Sequence, residues 1–211
     1  MKICPAKTLV SAGQYKKGSL FMEDNLAHKY EYRKELIGGK IVAMSPAASN
    51  HNRIAGNIFG IFWSYLRGKP CVPYGDGELV YLTAEDTFIP DFMIVCDRNK
   101  IKHDGIHGAP DLVVEILSPS TAKNDRGHKK SIYEKSGVQE YWIVSPSEKS
   151  VEIYRNNGNE FVFHDVYSVY ADWMLEQISE AERAAVITQF KCCLFEDLDI
   201  SLNDIFYDIL P

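Results

Sequence analysis

No run of about 18 apolar residues occurs in the chain, and the opening MKICPAKTLVSAG has two lysines but no apolar stretch of signal-peptide length. The expectation is a protein that neither spans a membrane nor is secreted, placed in the cytoplasm. Cysteine pairs at metal-binding spacing are also missing. Cys4, Cys71, Cys96, Cys192 and Cys193 include no C-x-x-C, and adjacent Cys192 and Cys193 cannot form a zinc knuckle, so free thiols in a reducing compartment are expected. A positive charge excess is absent. At a net charge of −6 nothing draws the whole molecule to nucleic acid or an anionic membrane, and any polyanion contact needs a local basic patch. Internal repeats and low-complexity tracts are lacking too. What is present, 211 residues of which 45% are hydrophobic and 12% aromatic, is ample for a buried core.

The chain reads as one α/β domain over 1–211, with a core over about 30–165, a helical insertion at 170–190 and a tail at 191–211 packing on the core. LFMEDNLAH (20–28) suggests a short helix, and YEYRKELIGGKIVAMSP a hairpin turning at Gly38 and Gly39. Ile54, Ile58, Ile61, Phe62, Tyr65 and Leu66 recur at helical spacing after Ser49 and Asn50, either of which could cap the helix. CVPYGDGELVYL, FIPDFMIVC and APDLVVEILS read as a meander of three strands. STAKNDRGHKKSIYEKSG is a charged helix ending at Gly137, and QEYWIVSP and VEIYRN are two more strands. WMLEQISEAERAAVITQF suggests one amphipathic helix.

Two carboxylates sit where apolar strand is expected. If FIPDFMIVC and APDLVVEILS pair antiparallel with Cys96 opposite Pro110, Asp91 falls opposite Glu115, their side chains about 5 Å apart on one face. Asp111 is then about 13 Å along the same strand at ~3.3 Å per residue and belongs to the turn at the other end. Carboxylates that close need a cation or a proton between them. Oxygen donors of this kind suit Mg²⁺ or Mn²⁺ completed by water and phosphate oxygens, which points to phosphodiester chemistry. The following helix offers cations. Lys129 shares a stripe with Tyr133 and is expected to lean inward, while Lys123, Arg126 and Lys130 are free to face DNA.

In order and combination, KELIGGKIVAMSP, the helix opening HNRI, IPDFMIVC, GAPDLVVEILSPST, DRGHKKSIY, GVQEYWIVSP and FEDLDISLNDIF resemble the PD-(D/E)XK nuclease superfamily, specifically its Uma-type bacterial branch. The resemblance implies a restriction-endonuclease-like fold: a mixed central sheet flanked by helices, with an N-terminal hairpin and a C-terminal helical extension. It implies a metal-dependent endonuclease in which Asp91 and Glu115 hold Mg²⁺ or Mn²⁺ and Lys129 serves the attacking water, acting on DNA as a dimer. E-x-K would put lysine at 117, where Leu117 stands, so Lys129 is the match on the next helix. His51 occupies the first-helix position where relatives carry an acid, and Glu78 is a neighbouring candidate from the adjacent strand.

Blander readings stand beside these. Asp91 and Asp111 could be turn carboxylates, Glu115 and Lys129 a structural ion pair, and Lys129 with Asp125 an exposed i,i+4 pair. RNA or junction cleavage is not separated from DNA cleavage. The rival function is a nuclease-fold binding module without chemistry.

Overall fold

Helix α1 (Ser49–Leu66) is built on a row repeating every fourth residue. Ile54, Ile58, Phe62 and Leu66 are buried, each worth roughly 1.5–3 kcal/mol of burial, and Phe62 stacks on Phe92 and packs at a tilt against Trp142 of the sheet beneath. The computed structural model describes residues 33–210. The helix expected over 20–28, the first residues of the expected hairpin and Cys4 lie outside them.

The central sheet contains β3 (Val72–Gly75), β6 (Phe92–Val95), β9 (Leu112–Ile116), β10 (Glu140–Ser145), β11 (Ser150–Asn156) and β12 (Phe161–Ser168), in the order β12-β11-β10-β9-β6-β3. It is mixed because β9 and β10 run parallel while the other neighbours are antiparallel. The β9–β10 crossover is α2 (Ala122–Asn124), a wider π-helical turn over Asp125–Lys129, and α3 (Lys130–Ser136), ended by Gly137 at φ +92°. All of β9 and β10 is buried, as expected of strands covered on both faces.

On the face opposite α1 lies a second sheet, ordered β2-β1-β5-β4-β8-β7. Its strands are β1 (Lys34–Ile37), β2 (Lys40–Ala43), β4 (Val80–Tyr81), β5 (Thr87–Phe88), β7 (Ile101–Lys102) and β8 (Gly105–His107). The expected hairpin is β1–β2, turning at Gly38 and Gly39, whose φ of +55° and +75° suit glycine. Behind α1, β13 (Gln189–Lys191), β14 (Asp199–Ser201) and α6 (Leu202–Ile205) close the first core.

Several expectations are corrected. CVPYGDGELVYL and FIPDFMIVC each divide, giving β3 and β6 to the central sheet and β4 and β5 to the second. The loop expected after Cys96 contains β7 and β8, and β12 was not foreseen. The single helix expected over 170–190 is two, α4 (Asp172–Glu176) and α5 (Glu180–Ala184), because Ser179 forms a capping box with Glu182 that starts a new helix. Cys71 and Cys96 are joined in a disulfide rather than free, since the Val72↔Val95 register makes them neighbours across β3 and β6.

Candidate active site

The β6–β9 register is the one expected: Phe92 pairs with Val114, Met93 with Val113 and Ile94 with Leu112, which projects Asp91 opposite Glu115. Both residues line a cleft of about 800 Å³ that also receives the start of α1, Glu35 from β1, and Lys129. The Asp91 side chain is pinned from two sides. Its Oδ2 accepts from the Ile116 backbone N–H at 2.6 Å and lies 3.2 Å from His51 Nε2.

Glu115 is buried, and its Oε1 accepts from Lys129 Nζ at 3.1 Å and from the Tyr133 hydroxyl at 2.8 Å. Lys129 Nζ lies 2.8 Å from Glu35 Oε1 and 3.7 Å from Asp125 Oδ1. Lys129 therefore leans inward, into a cage of three acids. The exposed Asp125–Lys129 pair is overturned, because Lys129 is 3% and Asp125 1% exposed. The π-helical turn accomplishes this. It directs both ends inward while Arg126, Gly127 and His128 remain outside, and the Tyr141 hydroxyl donates to the Asp125 carbonyl.

Sequence reasoning missed Glu35, Asp125 and Tyr133 as members of the site. Glu35 reaches the cleft from the hairpin, accepting from the Ile89 N–H at 2.8 Å. A lone glutamate among alternating residues of a short strand carries no sequence signal. The i,i+4 relation of Tyr133 to Lys129 is the sequence signal for its place.

Charge in the cluster is unbalanced: Glu35, Glu115 and Asp125 surround Lys129, with Asp91 opposite Glu115 beside them. Burial pushes the Glu115 carboxyl well above the usual range against the opposing effect of Lys129, with Asp125, Asp91 and Glu35 adding to the upward push. Burial likewise lifts Asp125 to about 6. Desolvation would lower Lys129, but Glu115, Glu35 and Asp125 reverse it, so Lys129 stays an ammonium. For His51 burial is outweighed by the contact with Asp91, and its pKa is raised.

The other sequence candidates are not brought to this point. Asp111 sits at the far end of β9, where Oδ2 accepts from Cys96 N and Oδ1 from Gln139 Nε2. Glu78 is exposed and outside the cleft, a correction that follows from β4 leaving the central sheet; Asp76, paired with Arg33 at 2.6 Å, lines the cleft instead. Arg126 lines the cleft but is paired with Glu152 at 2.7 Å. Lys130 lies 3.4 Å over the Tyr154 ring, and Lys123 is exposed.

A divalent cation fits the donor set in a limited way. Among the described residues no group of three acid, histidine or cysteine side chains forms a ready cage. Yet Asp91 uses only Oδ2 and Glu115 only Oε1 in the contacts above, leaving one carboxylate oxygen of each without a described partner. Two hard oxygens beside an open cleft suit Mg²⁺ or Mn²⁺ that keeps water and takes phosphate oxygens. The surplus of carboxylates favours such a cation.

Residues 22–184 match the family described as "Uma2: Putative restriction endonuclease". The uncharacterised proteins slr1290 and sll1609 of Synechocystis sp. (strain ATCC 27184 / PCC 6803 / Kazusa) are similar, at 28% and 25% identity over 163 residues; the matches cover 76% and 75% of this chain and 78% and 88% of those proteins. The fold is similar to the crystal structure of a "putative nuclease belonging to DUF820" from Anabaena variabilis ATCC 29413. That match has a TM-score of 0.59 at 20% identity and covers 87% of this chain and 96% of the other. The architecture is thus restriction-endonuclease-like.

Proposed function

The chain belongs to the Uma2 restriction-endonuclease family, and from that premise we propose that it is a metal-dependent endonuclease hydrolysing DNA phosphodiester bonds at the Asp91–Glu115 cleft. The observation that carries this reading is the convergence of Asp91, Glu115 and Lys129 from three elements, although no lysine stands at 117. Asp91 and Glu115 would hold Mg²⁺ or Mn²⁺, which when bound activates water and neutralises charge developing on phosphate. Lys129 Nζ, held by Glu35 and Asp125, orients water at the Glu115 side and offsets negative charge there. His51 Nε2 and the Ile116 N–H fix Asp91 Oδ2, so that the other oxygen is available to the cleft.

The rival is a nuclease-fold binding module, favoured by the direct Lys129–Glu115 ion pair and by the absence of a three-ligand cage among the described residues. Cleavage of supercoiled plasmid, single-stranded DNA and RNA with Mg²⁺, Mn²⁺ or EDTA separates the two. The nuclease reading expects metal-dependent DNA cleavage reduced at least a hundredfold in Asp91→Asn, Glu115→Gln and Lys129→Ala. A folded wild type that cleaves nothing with either metal would favour the module, and cleavage of RNA alone would correct the substrate.

A further inference from the structure

Away from the cleft, β12 and the two helices after it form a second concavity that the nuclease reading does not use. β12 is an edge of the central sheet, three strands from β9. Between it and α4–α5 lies a trough of about 640 Å³ walled by Tyr167, Tyr170, Trp173, Met174, Ile178 and Ile187. Tyr170, Trp173 and Ile187 are 45%, 61% and 56% exposed, so the trough is open rather than enclosed. Sites for small ligands enclose most of the ligand surface, whereas an open apolar trough suits a row of side chains from another chain. Clustered apolar exposure of this kind marks an interaction surface.

Charge selects the partner. From Asp165 to Ile187 the chain carries Asp165, Asp172, Glu176, Glu180 and Glu182 against Arg183 alone, a net −4 in a chain whose total is −6. Arg183 is engaged locally, its guanidinium donating to the Leu175 carbonyl. Two copies of this face would oppose like charges over apolar walls, which disfavours self-association here.

We propose that the β12–α4–α5 trough docks a basic amphipathic helix of a partner protein. Its apolar side chains would enter between Trp173 and Tyr167, and its lysines or arginines would lie along the acidic helices. Because the trough shares no residue with the nuclease cleft, this proposal and the catalytic reading fail independently.

The test is titration of the full chain with a synthetic leucine–lysine amphipathic helical peptide and its leucine–glutamate counterpart, followed by tryptophan fluorescence and calorimetry. Expected is saturable one-to-one binding of the lysine peptide at least tenfold tighter than the glutamate peptide. Trp173→Ser should weaken it at least tenfold, and Glu176→Lys/Glu180→Lys should weaken it while reducing its salt dependence. All three residues are exposed, so the variants should fold. Equal binding of both peptides, no binding, or binding unchanged in Trp173→Ser would overturn the proposal; the last would assign the peptide to acidic surface elsewhere.

Discussion

Lys129 Nζ lies 3.1 Å from Glu115 Oε1 with both side chains almost wholly withdrawn from water. An ammonium so buried is stable only because Glu35 and Asp125 also face it. Fold and proposed chemistry therefore depend on the same charges.

Removing the cation should expose that dependence. Lys129→Met leaves three buried acids without their shared partner, and the expected loss is about 3–5 kcal/mol near neutral pH. Urea unfolding in EDTA should show a smaller loss near pH 5, where Asp125, lifted by burial to about 6, takes up a proton. An equal loss at both pH values would mean that Lys129 contributes by packing alone.

Glu115→Gln should separate stability from activity. Its amide oxygen can still accept from Tyr133, and one excess negative charge disappears, so the expected stability in metal-free buffer is within about 1 kcal/mol of wild type or higher. Cleavage should nevertheless fall at least a hundredfold. A strongly destabilised variant would identify Glu115 as chiefly a structural anchor.

Asp125 supplies a pH signature. Its folded carboxyl titrates at about 6 instead of 3.8 because it is buried, so between those values the native state holds more protons than the unfolded state. Its effect is thus a loss of stability as pH rises through that window. Asp125→Asn should therefore gain about 1–3 kcal/mol relative to wild type between pH 4 and pH 7. Unfolding curves with parallel pH profiles would contradict this.

His51 should behave in a complementary way. Its pKa is raised by Asp91, so the stabilisation is complete below about 6.5 and fades as pH climbs through the higher folded value. The stability gap between wild type and His51→Gln should be larger at pH 6 than at pH 8.5, by on the order of 1 kcal/mol. A gap independent of pH would make the His51–Asp91 contact one between neutral imidazole and carboxylate.

Much of this site was legible because its main determinant is strand register. Two Pro-Asp strands with one apolar pattern each admit few alignments, and the alignment that opposes Asp91 to Glu115 is the one that buries Met93 and Val113 together. Lys129 followed from its helical offset to Tyr133. Glu35 was not legible, since its place depends on a second sheet folding over the first, a long-range event without local pattern. Glu78 failed for the same reason: a strand divided between two sheets cannot be recognised from residues 71–82 alone. The π-helical turn was hidden because the four-residue spacing of Asp125, Lys129 and Tyr133 fits an ordinary helix equally well. Along 172–187 the amphipathic pattern was real, but the Ser179 capping box outweighed it.

The most direct measurement of the central claim is calorimetric titration of the metal-free protein with Mn²⁺, comparing wild type with Asp91→Asn and Glu115→Gln. Expected is saturable binding to the wild type, weakened at least tenfold by either substitution while the folded structure persists. Binding undiminished in both folded variants, or no binding to the wild type in the presence of DNA, would contradict it.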